Sequence, residues 1–129
     1  MNKMIKLLGK LVLALCASAS FAAEPNVITG VEVSDLSTQK QVIKITFSGN
    51  APSPTSFSVN TPPRIALDFP NTVNQTGKAA EQINSFVLRS MNLAEGNGRT
   101  RLMLSLQKQA SFDTKVDGKT VMVTIDGIS

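Results

Sequence analysis

Residues 112–125 read FDTKVDGKTVMVTI, two alternating runs separated by Asp117-Gly118. Every second side chain in these runs is apolar or small: Phe112, Thr114, Val116, Val121, Val123 and Ile125. A period of two residues is typical of a β-strand, because successive side chains point to opposite faces. Asp-Gly between two such runs is a strong hairpin signal, because these residues tolerate the positive φ of a tight turn. The stretch therefore predicts two antiparallel strands, each with one buried face.

The same alternation recurs along most of the chain. We predict further strands at residues 31–34, 43–47, 56–59, 64–69, 86–93 and 101–106. The facing of the 86–93 strand is ambiguous from its pattern. Prolines bracket the 56–59 strand, which predicts a short strand at a sheet edge, since proline cannot donate to a hydrogen-bonded ladder. Eight short strands of this kind predict an all-β fold, a small sandwich of two antiparallel sheets.

Two connecting segments have distinct signals. Residues 95–98, Glu-Gly-Asn-Gly, predict a second hairpin loop because glycine and asparagine adopt positive φ readily. Residues 70–85 lack the alternation, and they are the only part of the mature chain for which we expect a short helix.

The N-terminus has the three parts of a secretory signal peptide: basic Lys3, Lys6 and Lys10, an apolar run from Leu11 to Ala19, and small residues Ser20 and Ala22 before a cleavage site. Residues 1–22 are therefore predicted as a signal peptide and 23–129 as one mature domain, with its core at about 27–126. The apolar run is too short for a membrane span, which needs roughly 20 residues. We expect an exported protein whose mature part has no membrane span, in preference to a retained N-terminal anchor.

Composition excludes several classes of function. Three of the 13 basic residues lie in the predicted signal and all nine acidic residues lie outside it, so the mature domain is nearly neutral. Without a basic stripe, tryptophan or tyrosine, nucleic-acid binding is not expected. The chain has no histidine, the usual general base and zinc ligand, and its one cysteine, Cys16, lies in the signal. We predict that the protein is not an enzyme and has no cofactor and no metal site.

Three segments in this order carry a family resemblance: Pro62–Phe69 (PPRIALDF), Asn97–Leu106 (NGRTRLMLSL) and residues 112–125. Their order and spacing resemble the AMIN domain, above all the N-terminal AMIN domain of type IV pilus secretins. The resemblance extends over about residues 27–126. It implies two packed β-sheets and a periplasmic module that localises secretins or cell-wall amidases by binding peptidoglycan.

The family motifs also contain candidate contact residues. Arg64 and Asp68 lie in the first motif, and Arg99 and Arg101 lie in the second. We predict that all four point outward from two strands and line a polar sheet face that binds peptidoglycan. Planar guanidinium groups suit carboxylates, and Asp68 would orient an arginine or accept a hydrogen bond from a sugar hydroxyl. The alternative is that these residues are solvated strand positions or a cross-strand ion pair.

The phenylalanines of the mature chain are expected in the core, which leaves no aromatic face for a sugar. The predicted function is a periplasmic module that anchors a pilus secretin at the cell wall or in an outer-membrane complex, with other pilus or secretin components as partners. One alternative is an assembly module whose edge strands, first the one at 56–59, pair with a partner protein. Another is the targeting part of a cell-wall amidase, whose histidine-bearing zinc domain would have to lie elsewhere.

Overall fold

The structure is a computed structural model that describes residues 24–127; the predicted signal peptide lies outside that range. It contains ten strands: β1 (Asn26–Asp35), β2 (Lys40–Phe47), β3 (Thr55–Asn60), β4 (Pro63–Pro70), β5 (Thr72–Asn74), β6 (Ala80–Gln82), β7 (Leu88–Gly96), β8 (Arg99–Leu106), β9 (Ser111–Asp117) and β10 (Thr120–Asp126). Between residues 24 and 127 there is no helix, and so none with the length and apolarity that a bilayer crossing requires. The predicted all-β class is confirmed.

The strands form two five-stranded sheets. The first sheet has the order β5-β1-β2-β10-β9 and the second has the order β3-β4-β8-β7-β6. Neighbouring strands are antiparallel except β1 and β5, which pair in parallel from Asn26 beside Thr72 to Ile28 beside Asn74. The predicted sandwich is confirmed, with this single parallel pair added. The 56–59 segment, now β3, lies at an edge of the second sheet as expected.

The core lies between the two sheets. Its fully buried side chains come from alternate positions of the central strands: Ile43, Ile45, Phe47, Ile65, Leu67, Phe69, Leu102, Leu104, Val121, Val123 and Ile125. Phe47 of the first sheet meets Phe69 of the second edge to face, with ring centroids 5.2 Å apart. This arrangement suits the charge distribution of aromatic rings.

Both predicted hairpins are present. In the β7–β8 turn, Asn97 and Gly98 both have positive φ, 53° and 75°, as a type I′ turn requires. In the β9–β10 turn, Asp117 pairs with Thr120, so Gly118 and Lys119 are the central residues, one position later than Asp117-Gly118. Gly118 has φ 61°, and positive φ at the first central residue is that of a type II′ turn.

A bulge explains why the facing of the 86–93 segment was ambiguous. The register of β7 on β8 shifts between Leu88 and Ser90, and Leu88 and Met91 both point into the core although they are three positions apart. An extra residue in one strand reverses the alternation from that point onward. Phe86, just before β7, is largely exposed beside Lys108, so its predicted place in the core is wrong.

The predicted helix in residues 70–85 is wrong. This segment contains β5 and β6, and its polar side chains bond to nearby groups. The Asn74 Oδ1 atom accepts hydrogen bonds from the Thr76 amide (3.0 Å) and hydroxyl (2.7 Å), and the Thr72 hydroxyl donates to the Pro70 carbonyl. Such local bonds compete with helical hydrogen bonding, and Gly77 follows with φ 82°.

Two buried polar contacts join the sheets. Gln41 of β2 is buried, and its side-chain carbonyl accepts hydrogen bonds from the Ser85 hydroxyl (2.6 Å) and the Leu88 amide (3.2 Å). The Thr100 hydroxyl of β8 donates to the Thr72 carbonyl of β5 at 2.7 Å. Each contact satisfies polar atoms that would otherwise lie unpaired between the sheets.

Candidate functional site

The four predicted site residues share the outer face of the second sheet. Ile65, Leu67 and Phe69 of β4 point inward, so the alternate residues of that strand point outward. We use the name binding face for a candidate surface, the outward positions of β3, β4 and β8: Thr55, Phe57, Val59, Arg64, Ala66, Asp68, Arg99, Arg101, Met103 and Ser105. The prediction that these residues lie on one outward face rests on strand alternation, and the register bears it out.

Asp68 holds two of the arginines. It lies directly opposite Arg101 in the β4–β8 ladder, and Arg101 donates from Nε to Oδ1 at 2.6 Å and from Nη2 to Oδ2 at 2.9 Å. Arg99 Nη1 lies 3.8 Å from Oδ2. Only 11% of the Asp68 side chain is exposed, against 44% of the Arg101 side chain. Both carboxylate oxygens therefore face arginines, an arrangement that orients the cations and leaves part of each guanidinium open to solvent.

The ion pair changes the acid–base properties of its members. The hydrogen bonds from Arg101 lower the pKa of Asp68, partly opposed by burial and helped by the charges of Arg101 and Arg99. The same hydrogen bond raises the pKa of Arg101. Bidentate arginine–carboxylate pairs are among the stronger side-chain contacts because both groups are charged and their geometries match.

The lowered pKa predicts a pH-dependent contribution to stability. Asp68→Asn is expected to lower the free energy of unfolding by at most about 1 kcal/mol near neutral pH, since solvent screens the half-exposed partner. A carboxyl whose pKa is lower in the folded state stabilises it above the unfolded pKa, about 3.9, and loses that effect as pH falls through the folded value. The difference in the free energy of unfolding between the unmodified protein and Asp68→Asn should therefore be constant from about pH 5 to 8. It should vanish in stronger acid. Urea unfolding across this range measures it, and a difference that persists unchanged at the lowest pH would contradict it.

Phe57 is part of the binding face, which corrects its predicted place in the core. It pairs with Ala66 of β4, and 42% of its surface is exposed. The Arg101 guanidinium carbon lies 5.3 Å from the centroid of the Phe57 ring, within the range of a cation–π contact. Arg101 thus extends from β8 over Asp68 on β4 to Phe57 on β3. An aromatic surface lies beside the ion pair.

Arg64 lies apart from this cluster. It is four residues before Asp68 on the same strand, roughly 13 Å away along β4. Its ladder neighbours are Val59 and Ser105, and no hydrogen-bond partner for its buried Nε atom is found within residues 24–127. The structure therefore brings Asp68, Arg99 and Arg101 together and places Arg64 on the same face as a separate cation.

The sequence did carry a signal for the position of Phe57. In the 56–59 segment, serine alternates with Phe57 and Val59. Hydrophobicity alone therefore predicts that the side with Phe57 and Val59 is buried. The bracketing prolines predict an edge strand, however, and such a strand does not need a buried face. In the structure all six residues of β3 are exposed. Pairing with β4, which no local pattern in β3 reveals, decides which side points outward.

The described part of the chain has no group of three or more histidine, cysteine, aspartate or glutamate residues arranged to hold a metal ion. The binding face has three arginines against one aspartate, so it is positively charged. This charge, the exposed aromatic ring and the shallow sheet surface suit an extended ligand with carboxylates.

Comparison with known proteins matches nearly the same residues as the family resemblance in the sequence. Residues 30–125 match the family model of the AMIN domain. The chain is 30% identical over 125 residues to the type IV pilus biogenesis and competence protein PilQ of Neisseria gonorrhoeae, an alignment covering 97% of this chain and 17% of that protein. The PilQ protein of Neisseria meningitidis serogroup B (strain MC58) is also 30% identical, with 16% of its length covered.

A relative from another genus gives the same result. The fimbrial assembly protein PilQ of Pseudomonas aeruginosa is 29% identical over 126 residues, which cover 97% of this chain and 17% of that protein. The chain thus spans about a sixth of the length of the curated relatives it matches. The match to the family model includes all of β2 to β9 and most of β1 and β10. The predicted resemblance is confirmed, and this chain belongs to the AMIN domain family.

Proposed function

We propose that this chain is an exported, non-catalytic periplasmic module that anchors a type IV pilus secretin by contacting peptidoglycan through its binding face. The match to PilQ proteins supports the pilus context. The observation that carries the proposal is the Arg101 guanidinium, which Asp68 fixes on an exposed sheet surface beside an exposed aromatic ring.

The free donors of the arginines would recognise the peptide stems of the cell wall, which end in carboxylates. Nε and one Nη2 hydrogen of Arg101 bind Asp68, so Nη1 remains available for a ligand. Arg99 contributes a second, more exposed guanidinium. Because Asp68 already holds both groups, ligand binding costs less side-chain entropy than it would with free arginines. Asp68 acts here as a positioning residue.

Phe57 would contact the apolar face of a sugar ring. Sugars present C–H groups on one face of the ring and hydroxyls around its rim, which suits an aromatic side chain flanked by polar groups. Thr55 and Ser105 add hydroxyl groups on the same face. The site is open and shallow, so each copy would bind weakly, and several copies in one assembly would increase the overall affinity.

Sedimentation with purified peptidoglycan sacculi tests the proposal. Replacing Arg99 and Arg101 together by alanine is expected to weaken binding by about tenfold or more, since charge-assisted hydrogen bonds contribute roughly 1.5–3 kcal/mol each. The matched control replaces Lys44 and Lys115, which are exposed on the outer face of the first sheet. This control also removes two positive charges, but from the other sheet. It should bind sacculi within about twofold of the unmodified protein.

Arg64→Ala provides a further comparison, because Arg64 shares the face but not the ion-pair cluster. A smaller loss than that of the Arg99/Arg101 variant is expected. If the arginine and lysine variants lose sacculus binding equally, the interaction is general electrostatic attraction and is not specific to the binding face. Undiminished binding of the Arg99/Arg101 variant would remove the binding face from the proposed function.

A further inference from the structure

The outer edge of β3 is unpaired within the described residues. β3 ends the second sheet, pairs with β4 on one side, and all six of its residues are exposed. About half of the backbone N–H and C=O groups of an edge strand point away from its neighbour. None of the residues Thr55–Asn60 is proline, so each N–H on the free side can donate.

β3 also lacks the features that normally protect an edge. Proteins commonly place charged side chains on edge strands, which discourages pairing with another chain. β9, the long edge strand of the first sheet, carries Asp113, Lys115 and Asp117, whereas β3 carries no charge. The other two edge strands, β5 and β6, have only three residues each. β3 is therefore the one long uncharged edge in the described sandwich.

The outward side of β3 is apolar. Phe57 is 42% exposed and Val59 is 37% exposed, and both point to the binding face. A strand placed beside β3 would lie about 4.8 Å from it, close enough for its own side chains to cover both residues. Strand addition would therefore bury apolar surface as well as satisfy backbone groups.

The net charge near this edge is positive, because the one carboxylate, Asp68 opposite Thr55, is paired with Arg101. Arg64 on β4 is the ladder neighbour of Val59, and Arg101 reaches from β8 to the ring of Phe57. An added strand would lie about 10 Å from β4, a distance that an arginine and a glutamate side chain together span. Alternate acidic residues in that strand would meet these guanidinium groups.

We propose that the β3 edge binds an extended acidic segment of a partner protein by strand addition. Backbone pairing would supply affinity and the arginines would select for acidic side chains. A second copy of this chain fits less well, because two β3 strands joined edge to edge would bring two arginine-rich faces onto one continuous sheet. This role goes beyond cell-wall binding, but Phe57 and Arg101 also belong to the proposed cell-wall site, so an added strand and peptidoglycan would compete for them.

The probe is a capped peptide of about eight residues in which valine and glutamate alternate, titrated into the purified protein and followed by backbone amide NMR. We expect shifts and slower amide exchange in Thr55–Asn60. The matched peptide with lysine in place of glutamate should bind at least about tenfold more weakly. A valine–glutamate peptide with alternate backbone nitrogens methylated should also lose binding, because it cannot complete the ladder.

Two protein variants separate the two long edges. Val59→Glu places a repelling charge on β3, and Val116→Glu places the same charge on β9 at a residue with similar exposure, 40%. The first should weaken binding of the glutamate peptide about tenfold or more, and the second should leave it unchanged. Ser58→Glu, on the other side of β3, repeats the test should Val59→Glu unfold. Equal binding of both peptides, shifts confined to β9, or a dimer that Val59→Glu dissociates would overturn the proposal.

Discussion

Replacing Phe69 by alanine is expected to lower the free energy of unfolding by about 3–5 kcal/mol. Phe69 is fully buried on β4 and packs edge to face against Phe47 of the opposite sheet. The substitution removes the transfer free energy of the ring and leaves a cavity between two sheets whose backbones are fixed by hydrogen bonds. Because small domains are stable by only about 5–15 kcal/mol, this one change should remove a large fraction of the total.

Urea unfolding of Phe69→Ala and Phe57→Ala measures the effect with a matched control. Both variants lose the same side chain, but Phe57 is 42% exposed and lies outside the core. Phe57→Ala should cost about 1 kcal/mol or less, mainly through the lost contact with Arg101. Similar losses in the two variants would contradict the assignment of Phe69 to the core and of Phe57 to the surface.

Gln41→Leu is expected to lower the free energy of unfolding by about 2–3 kcal/mol. Leucine has nearly the volume of glutamine, so the change tests the polar contacts more than the packing. It removes the acceptor of the Ser85 hydroxyl and Leu88 amide, and the donor to Asp35 Oδ1 at 2.7 Å. Buried polar groups that lose a partner cost roughly 1–3 kcal/mol each, and the Ser85 hydroxyl still accepts from the Leu88 amide, which limits the loss.

Gln107→Leu is the control for this prediction. Gln107 is exposed and its side-chain hydrogen bonds are long, 3.4 Å to Arg89 and to the Ser85 carbonyl. Its replacement should change stability by less than about 0.5 kcal/mol. Chemical unfolding gives both values, and faster hydrogen exchange at the Leu88 amide should accompany Gln41→Leu alone. An unchanged exchange rate at Leu88 would show that Gln41 does not hold the sheets together there.

Much of the fold was predictable because strand alternation reports burial directly. Where a strand is central and one of its faces is covered, as in β4, β8 and β10, each apolar position of the pattern is buried. The two hairpins were predictable from Asn-Gly and Asp-Gly, since few residue types adopt the positive φ of a tight turn. The predictions failed where structure does not follow local pattern: in the facing of the edge strand β3, and in residues 70–85, where side chains bond to nearby backbone groups. The bulge after Leu88 left the facing of residues 86–93 ambiguous from the sequence.

The shared outward face of the four candidate residues was predictable, but their arrangement on it was not. The family motifs indicated Arg64, Asp68, Arg99 and Arg101, and alternation put them on one face. The pairing of Asp68 with Arg101, and the separation of Arg64 from both, depend on the register between β4 and β8. Register arises from long-range packing and has no signature in either strand alone. Phe57 was missed because its alternation with serine indicated a buried side, although the bracketing prolines already indicated an edge strand.

The pairing of β2 with β10 has a consequence for how the chain folds. Ile43 and Val123 are direct ladder partners although eighty residues separate them, and the second sheet is built entirely from the segment in between. A chain that is synthesised from its N-terminus therefore cannot complete the first sheet or the core until β10 has been made. Proteins dominated by such distant contacts fold on the scale of milliseconds to seconds. Truncation before β10 should thus yield an unfolded chain instead of a smaller working domain.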